Sequence, residues 1–144
     1  MKILTSILDR FPKVIFKNGK TEIRLLKEAG ALCVTANGFQ SSLQYRKQAL
    51  AQLKALKKYN LHRIVYDLRT TGVISQEDQQ WTLNIWQPQA KEIGVDKTAI
   101  VVPENVFGQL TVEAVMETEQ TREVTWHKYF KTLEEAIEWV GEND

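Results

Sequence analysis

From Ser41 to its end the chain alternates between two hydrophobic periodicities, and this limits the fold more than any single motif does. Tyr45, Ala49, Leu53 and Leu56 recur at helical spacing in a stretch that Ser41 or Ser42 can cap and that runs to about Tyr59. His62 to Leu68 then reads as a central strand. Ser75-Gln76-Glu77-Asp78 is a capping-box-like start for a second helix carrying Trp81, Ile85 and Trp86, which Pro88 should kink or restart. Lys97 to Val102 is the next strand. Its run Ala99-Ile100-Val101-Val102, stopped by Pro103, suits a strand covered on both faces. A third helix is expected from about Val106 to Glu117, and a last strand over Glu123 to Phe130. After Thr132, Leu133, Ala136, Ile137 and Val140 form an i, i+3, i+4, i+7 stripe that Gly141 can stop.

The preceding stretch is strand-rich. Lys13 to Lys17 leads into Asn18-Gly19, a tight-hairpin signal because both positions tolerate positive φ. Glu22 to Leu26 answers it, Glu28-Ala29-Gly30 turns the chain again, and Ala31 to Thr35 is a third strand. Ile3, Leu4, Ile7, Leu8 and Phe11 make a helix-like stripe ended by Pro12, either a short packing helix or an arm. The expected fold class is therefore α/β: one domain over residues 1–144, with a mixed, mostly parallel central sheet, an N-terminal antiparallel hairpin and about four helices. No repeat or linker interrupts it.

With 144 residues the chain can bury a core without a disulfide or metal. Cys33 is the only cysteine, which excludes an internal disulfide and suits a reducing compartment. The first ten residues lack the long apolar stretch and cleavage site of a signal peptide, and no segment approaches the roughly 20 apolar residues of a membrane span. The expected location is the cytoplasm. Charge is unevenly spread: residues 1–63 hold 13 Lys or Arg against 3 Asp or Glu, and residues 113–144 hold 3 against 9. Such asymmetry suits an anionic partner, a membrane surface or head-to-tail self-association, or is simply a segregated wet surface.

Several segments together carry a resemblance. They are Gly38-Phe39-Gln40-Ser41-Ser42-Leu43-Gln44-Tyr45-Arg46, Asp67-Leu68-Arg69-Thr70-Thr71-Gly72-Val73-Ile74-Ser75-Gln76-Glu77-Asp78, and Trp86-Gln87-Pro88. The run Ala99 to Gly108, and Tyr129-Phe130 before Glu134 to Trp139, complete the set. In order and spacing, over roughly residues 13 to 140, the chain resembles small bacterial STAS-like proteins of unknown function. Their fold is similar to that of anti-sigma-factor antagonists and, more distantly, CRAL-TRIO lipid-transfer domains. The resemblance implies a fold and no established reaction. Anti-sigma-factor antagonists carry an Asp-Ser-Ser/Thr-Gly-type phosphorylation site after the strand that matches Ile64 to Leu68. Here Ser75 lies close to that place, but the motif around it is missing.

Ligands of open α/β sheets gather outside the carboxyl ends of the strands. Asp67, Arg69, Thr70 and Asn105 stand in segments that should share that edge. They would either converge on a ligand or serve the loops, with Asp67 accepting N–H groups and Arg69 pairing a carboxylate. Trp81 and Trp86 are five apart, about 140° around an ideal helix, so one suits the core and the other a groove. With Phe107 and a kink at Pro88 they could frame an apolar pocket. Cys33 fits a small core residue. His62 and His127 have no partner at metal-ligand spacing. The sequence shows no nucleophile elbow, P-loop or Gly-x-Gly-x-x-Gly run, so no reaction and no cofactor is expected. Lys47, Lys54 and Lys58 read as the wet side of their helix rather than a nucleic-acid interface. Two functions remain: a non-catalytic regulatory or protein-interaction module, with itself or another protein as partner, or a carrier of a small apolar or lipid-like ligand. The residues proposed for either are Asp67, Arg69, Thr70, Ser75, Trp81, Trp86, Asn105 and Phe107.

Overall fold

In the computed structural model, which describes residues 13–108 and 127–142, six strands form one sheet. The first three, β1 (Val14–Asn18), β2 (Thr21–Leu26) and β3 (Ala31–Gly38), are antiparallel neighbours. The others, β4 (Arg63–Thr71), β5 (Lys97–Val101) and β6 (His127–Phe130), continue it in parallel from β3. Strand order across the sheet is β1-β2-β3-β4-β5-β6. The fold is thus α/β, with a mostly parallel sheet extended by an antiparallel hairpin. The centre of that hairpin differs from the expectation. Asn18 pairs with Thr21, so Gly19 and Lys20 are the loop, with Gly19 at φ +61°. Glycine at the first central position is the type II′ arrangement, whose twist matches that of the flanking strands.

Helices cover both faces. Helix α1 (Ser42–Lys58) begins with a complete capping box, in which Ser41 Oγ accepts from Gln44 N–H and the Gln44 side chain accepts from Ser41 N–H. An arm of three segments follows β4: α2 (Gln76–Trp81), a π-helical turn (Thr82–Trp86) and α3 (Gln87–Ile93). Gln87 N–H reaches Thr82 O, five residues back, and Pro88 starts the next segment. Proline cannot donate to the carbonyl four residues before it, so the register change sits where an α-helical bond would be missing. Leu53 and Leu56 of α1, and Trp86 and Ala90 of the arm, pack on Ile23, Leu32, Val34 and Ile64.

On the other face α4 (Leu133–Gly141) seats Leu133, Ala136, Ile137 and Val140 on Leu26, Ala31, Cys33, Val65, Ala99 and Val101. Fully burying one such aliphatic side chain stabilises by about 1.5–3 kcal/mol. The carboxyl end of α4 meets cations from the starts of two strands. Arg63 Nη1 donates to the carbonyls of Val140 and Glu142, and buried Lys97 donates Nζ to Trp139 O at 3.1 Å. Positive charge there complements the helix dipole and the unbonded last carbonyls.

Residues 104–108 are helical, at the start of the expected third helix. The rest of that helix, residues 1–12 and residues 123–126 of the expected last strand lie outside the described residues. Strand β5 is not buried on both faces as expected: Ala99 and Val101 are buried against α4, whereas Thr98 and Ile100 on the opposite face are only partly covered.

Candidate functional site

The partly covered strand residues form the floor of a cleft of about 360 Å3. Side chains alternate across a strand, so Tyr66 and Leu68 of β4, Thr98 and Ile100 of β5, and His127 and Tyr129 of β6 face the same way. Parallel register aligns them in rows: Tyr66 beside Ile100 beside Tyr129, and Thr98 beside His127. Tyr45, Gln48, Ala49 and Gln52 of α1 line one wall, and Thr82, Trp86, Gln87 and Ala90 of the arm line another. Gln40 and Ile74, from the segments that follow β3 and β4, line it at the carboxyl end of the sheet, and Thr71 of β4 joins them. Mostly apolar walls with a few convergent polar groups are the usual make-up of a small-molecule site.

The polar groups are organised. Tyr66 Oη donates to Gln52 Oε1 at 2.6 Å, and Gln52 Nε2 donates to Gln48 Oε1 at 2.6 Å. Gln48 and Gln52 are 4% and 2% exposed, so these bonds satisfy groups that would otherwise be costly to bury. Burial drives the Tyr66 phenol well above its ordinary pKa, and Tyr45 is raised for the same main reason. Thr82 Oγ1 donates to Asp78 O at 2.8 Å, which leaves the Tyr45 hydroxyl as donor in its 2.6 Å bond to Thr82. Trp86 Nε1–H donates to Ala49 O at 2.7 Å and pins the arm to α1.

A second polar cluster locks the two helices beside the cleft. The buried Asp78 carboxylate accepts from Ser42 Oγ at 2.6 Å and from Arg46 Nε at 2.9 Å. The Ser42 hydrogen bond, with help from Arg46, holds its pKa below the usual carboxylate value. Arg46 also covers the Trp81 ring at 5.3 Å, and Trp81 meets Tyr45 edge-on with centroids 6.3 Å apart.

The residues expected at the site are distributed over different places. Asp67 lies on the α4 side of the sheet, as Val65 does two residues before it, and Arg69 is held there by its bonds to Asp67, across a register shift that interrupts the alternation before Thr71. They close on each other: Arg69 Nε and Nη2 donate to the two Asp67 carboxylate oxygens at 2.9 and 2.8 Å, and this bonding raises the Arg69 pKa. Strand β4 runs on to Thr71, so Arg69 and Thr70 belong to the strand, where the Thr70 hydroxyl donates to Asn37 Oδ1. Ser75 is the N-cap of α2, accepting from Asp78 N–H. Asn105 is exposed, and half-buried Phe107 lies under Lys131 Nζ at 5.6 Å. Trp86 alone of the expected residues lines the cleft. Both tryptophans contribute to the core cluster on the α1 side, because the wider π turn replaces the ideal-helix spacing from which a 140° separation follows.

Sequence reasoning missed Gln40, Tyr45, Gln48, Gln52 and Tyr66 as site residues. The available signal was two glutamines at i and i+4, flanking Ala49 on the buried stripe of α1. Among the described residues no group of three or more His, Cys, Asp and Glu could hold a metal ion. No described helix is long and apolar enough to cross a membrane. Fold and cleft together define an α/β domain with a lined small-molecule-sized site. No protein-family model, curated protein or solved structure matches the chain.

Proposed function

We propose that this chain is a non-catalytic binding or carrier protein for a small apolar or amphipathic molecule, held between α1, the α2–α3 arm and the face of β4–β6. The observation that carries this reading is the cleft itself, about 360 Å3 with Tyr66, Ile100, Tyr129 and Trp86 as its apolar lining. That volume lies within the range of small-molecule sites. The reading accords with the STAS-like resemblance and its distant likeness to lipid-transfer domains. It also accords with a cytoplasmic place for a chain whose single cysteine is buried.

A specific observation favours a protein-interaction module as the second reading. Phe39, Leu43 and Val73 are 79%, 79% and 89% exposed. Phe39 and Val73 directly follow Gly38 and Gly72, which are bonded to each other at 2.9 Å, and Leu43 lies on the first turn of α1. Exposed apolar groups gathered at one rim suit a partner.

Native mass spectrometry of the whole protein with added N-phenyl-1-naphthylamine, an uncharged apolar probe, tests the first reading. One probe per chain is expected, and Ile100→Trp, which fills the cleft, should abolish it in a variant that stays folded by circular dichroism. No adduct, or an adduct unaffected by Ile100→Trp, overturns the carrier reading. Oligomers that dissociate with rising salt would favour the second reading, because salt screens exposed charges.

A further inference from the structure

Resting on the carrier reading, we infer that the cleft selects an uncharged amphipath, one that presents a carbonyl or hydroxyl oxygen to Gln48, and that it discriminates against carboxylates and ammonium groups. Among the described residues that line the cleft there is no Lys, Arg, Asp or Glu. Two charged pairs beside the lining are closed on themselves: Arg46 with Asp78, and Asp67 with Arg69 on the opposite face. A charged head entering the cleft would lose hydration and meet no Lys, Arg, Asp or Glu of opposite sign among the described residues, His127 being the one basic side chain of the lining, and this is the costly case for burial.

Polarity is nevertheless present, as dipoles. The chain of bonds from Tyr66 through Gln52 ends on Gln48. The Gln48 amide oxygen is used by Gln52, while its amide nitrogen makes no hydrogen bond to the described residues, although the side chain lines the cleft and the residue is 4% exposed. Two N–H donors thus stand at the head of a polarised series in a nearly dry place, where a ligand acceptor completes the network. Gln40 supplies the complement: its Oε1 is buried without a partner and the residue also lines the cleft. A primary amide or an alcohol offers both an acceptor and a donor, and a carboxylate offers no donor.

The test is displacement of N-phenyl-1-naphthylamine from the whole protein at pH 7 by four ligands sharing one ten-carbon tail: decanamide, 1-decanol, decanoate and decylammonium. Decanamide and decanol should displace the probe at about tenfold lower concentration than either ion. Gln48→Met, which keeps the chain length but removes both donors and the oxygen that Gln52 uses, should weaken decanamide about tenfold more than it weakens the probe, and an equal loss for both would overturn the role of the Gln48 donors. Should that variant fail to fold, the wild-type series alone decides. Decanoate or decylammonium displacing as well as the neutral ligands overturns the selectivity and leaves the carrier reading standing. Failure of the probe itself to bind overturns both.

Discussion

Asp78 shows how a few polar side chains set the geometry of the cleft. Its carboxylate is 3% exposed and held by Ser42 and Arg46 from the first turns of α1, 36 and 32 residues earlier in the chain. Asp78→Asn should lower stability by about 1.5–3 kcal/mol, the range for hydrogen bonds to a charged group, as read by urea unfolding at pH 7. Because the folded state holds this pKa below its ordinary value, the native protein binds fewer protons here than the unfolded chain does. The contribution is complete above the unfolded value and disappears as pH falls through the lower folded one. The gap between wild type and Asp78→Asn should therefore close in acid, and a gap that stays constant from neutral pH to strong acid would refute the assignment. Residues of this kind were only half legible. Ser75 reads as a cap because its partner is three residues away. Gln48 and Gln52 look like ordinary surface glutamines of a helix until Tyr66 of β4, 14 residues beyond Gln52, is brought against Gln52.

At the scale of elements, local chemistry defines most of the helices and tertiary anchors define the rest. Caps at Ser41 and Thr132 and the stripe Leu133, Ala136, Ile137 and Val140 mark out α1 and α4 without reference to anything distant. The π turn was not legible. Pro88 signals a disturbance, but the bond from Gln87 to Thr82 and the anchoring of Trp86 on Ala49 O depend on α1 lying alongside. The extra residue of that turn is testable. Deleting the exposed Asn84 should turn the five-residue bond into a four-residue one and let the arm run as ordinary α-helix, with Trp86 and every later residue kept on the same face. Trp86 should then keep its bond to Ala49, with tryptophan emission and probe binding near those of the wild type at nearly unchanged helical circular dichroism. A red-shifted emission with weakened probe binding would show that the π turn itself positions Trp86. Register between β4 and the helices likewise decided the fate of Asp67 and Arg69. A sequence places them at a sheet edge, but the pleat sends Asp67 to the face opposite the cleft and its ion pair keeps Arg69 there.

The whole molecule is a sheet with a core on each face, and Cys33 sits at its centre. It is fully buried in β3, between β2 and β4, and packs on the α4 side. Burial pushes its thiol up to about 12, so almost no thiolate exists at neutral pH. An aromatic disulfide reagent should leave it unmodified in the folded protein at pH 8, and modification should track the urea unfolding curve. Rapid labelling of the native state would mean that the sheet opens locally at β3. At this scale the fold class was readable from the sequence while the cleft was not. Periodicity reports which residues are apolar, whereas the cleft arises from the spacing between helices and sheet, which no periodicity encodes.

The order of strands in the sheet has a bearing on how the chain reaches this state. Among the described strands, position along the sheet follows position along the chain, from β1 through to β6. Each strand therefore finds its neighbour already made, and none must be threaded between two that formed before it. Growth can proceed outward from the N-terminal hairpin while later residues are still being synthesised. Assembly by accretion at a single advancing edge leaves, at every stage, only one newly exposed strand to protect.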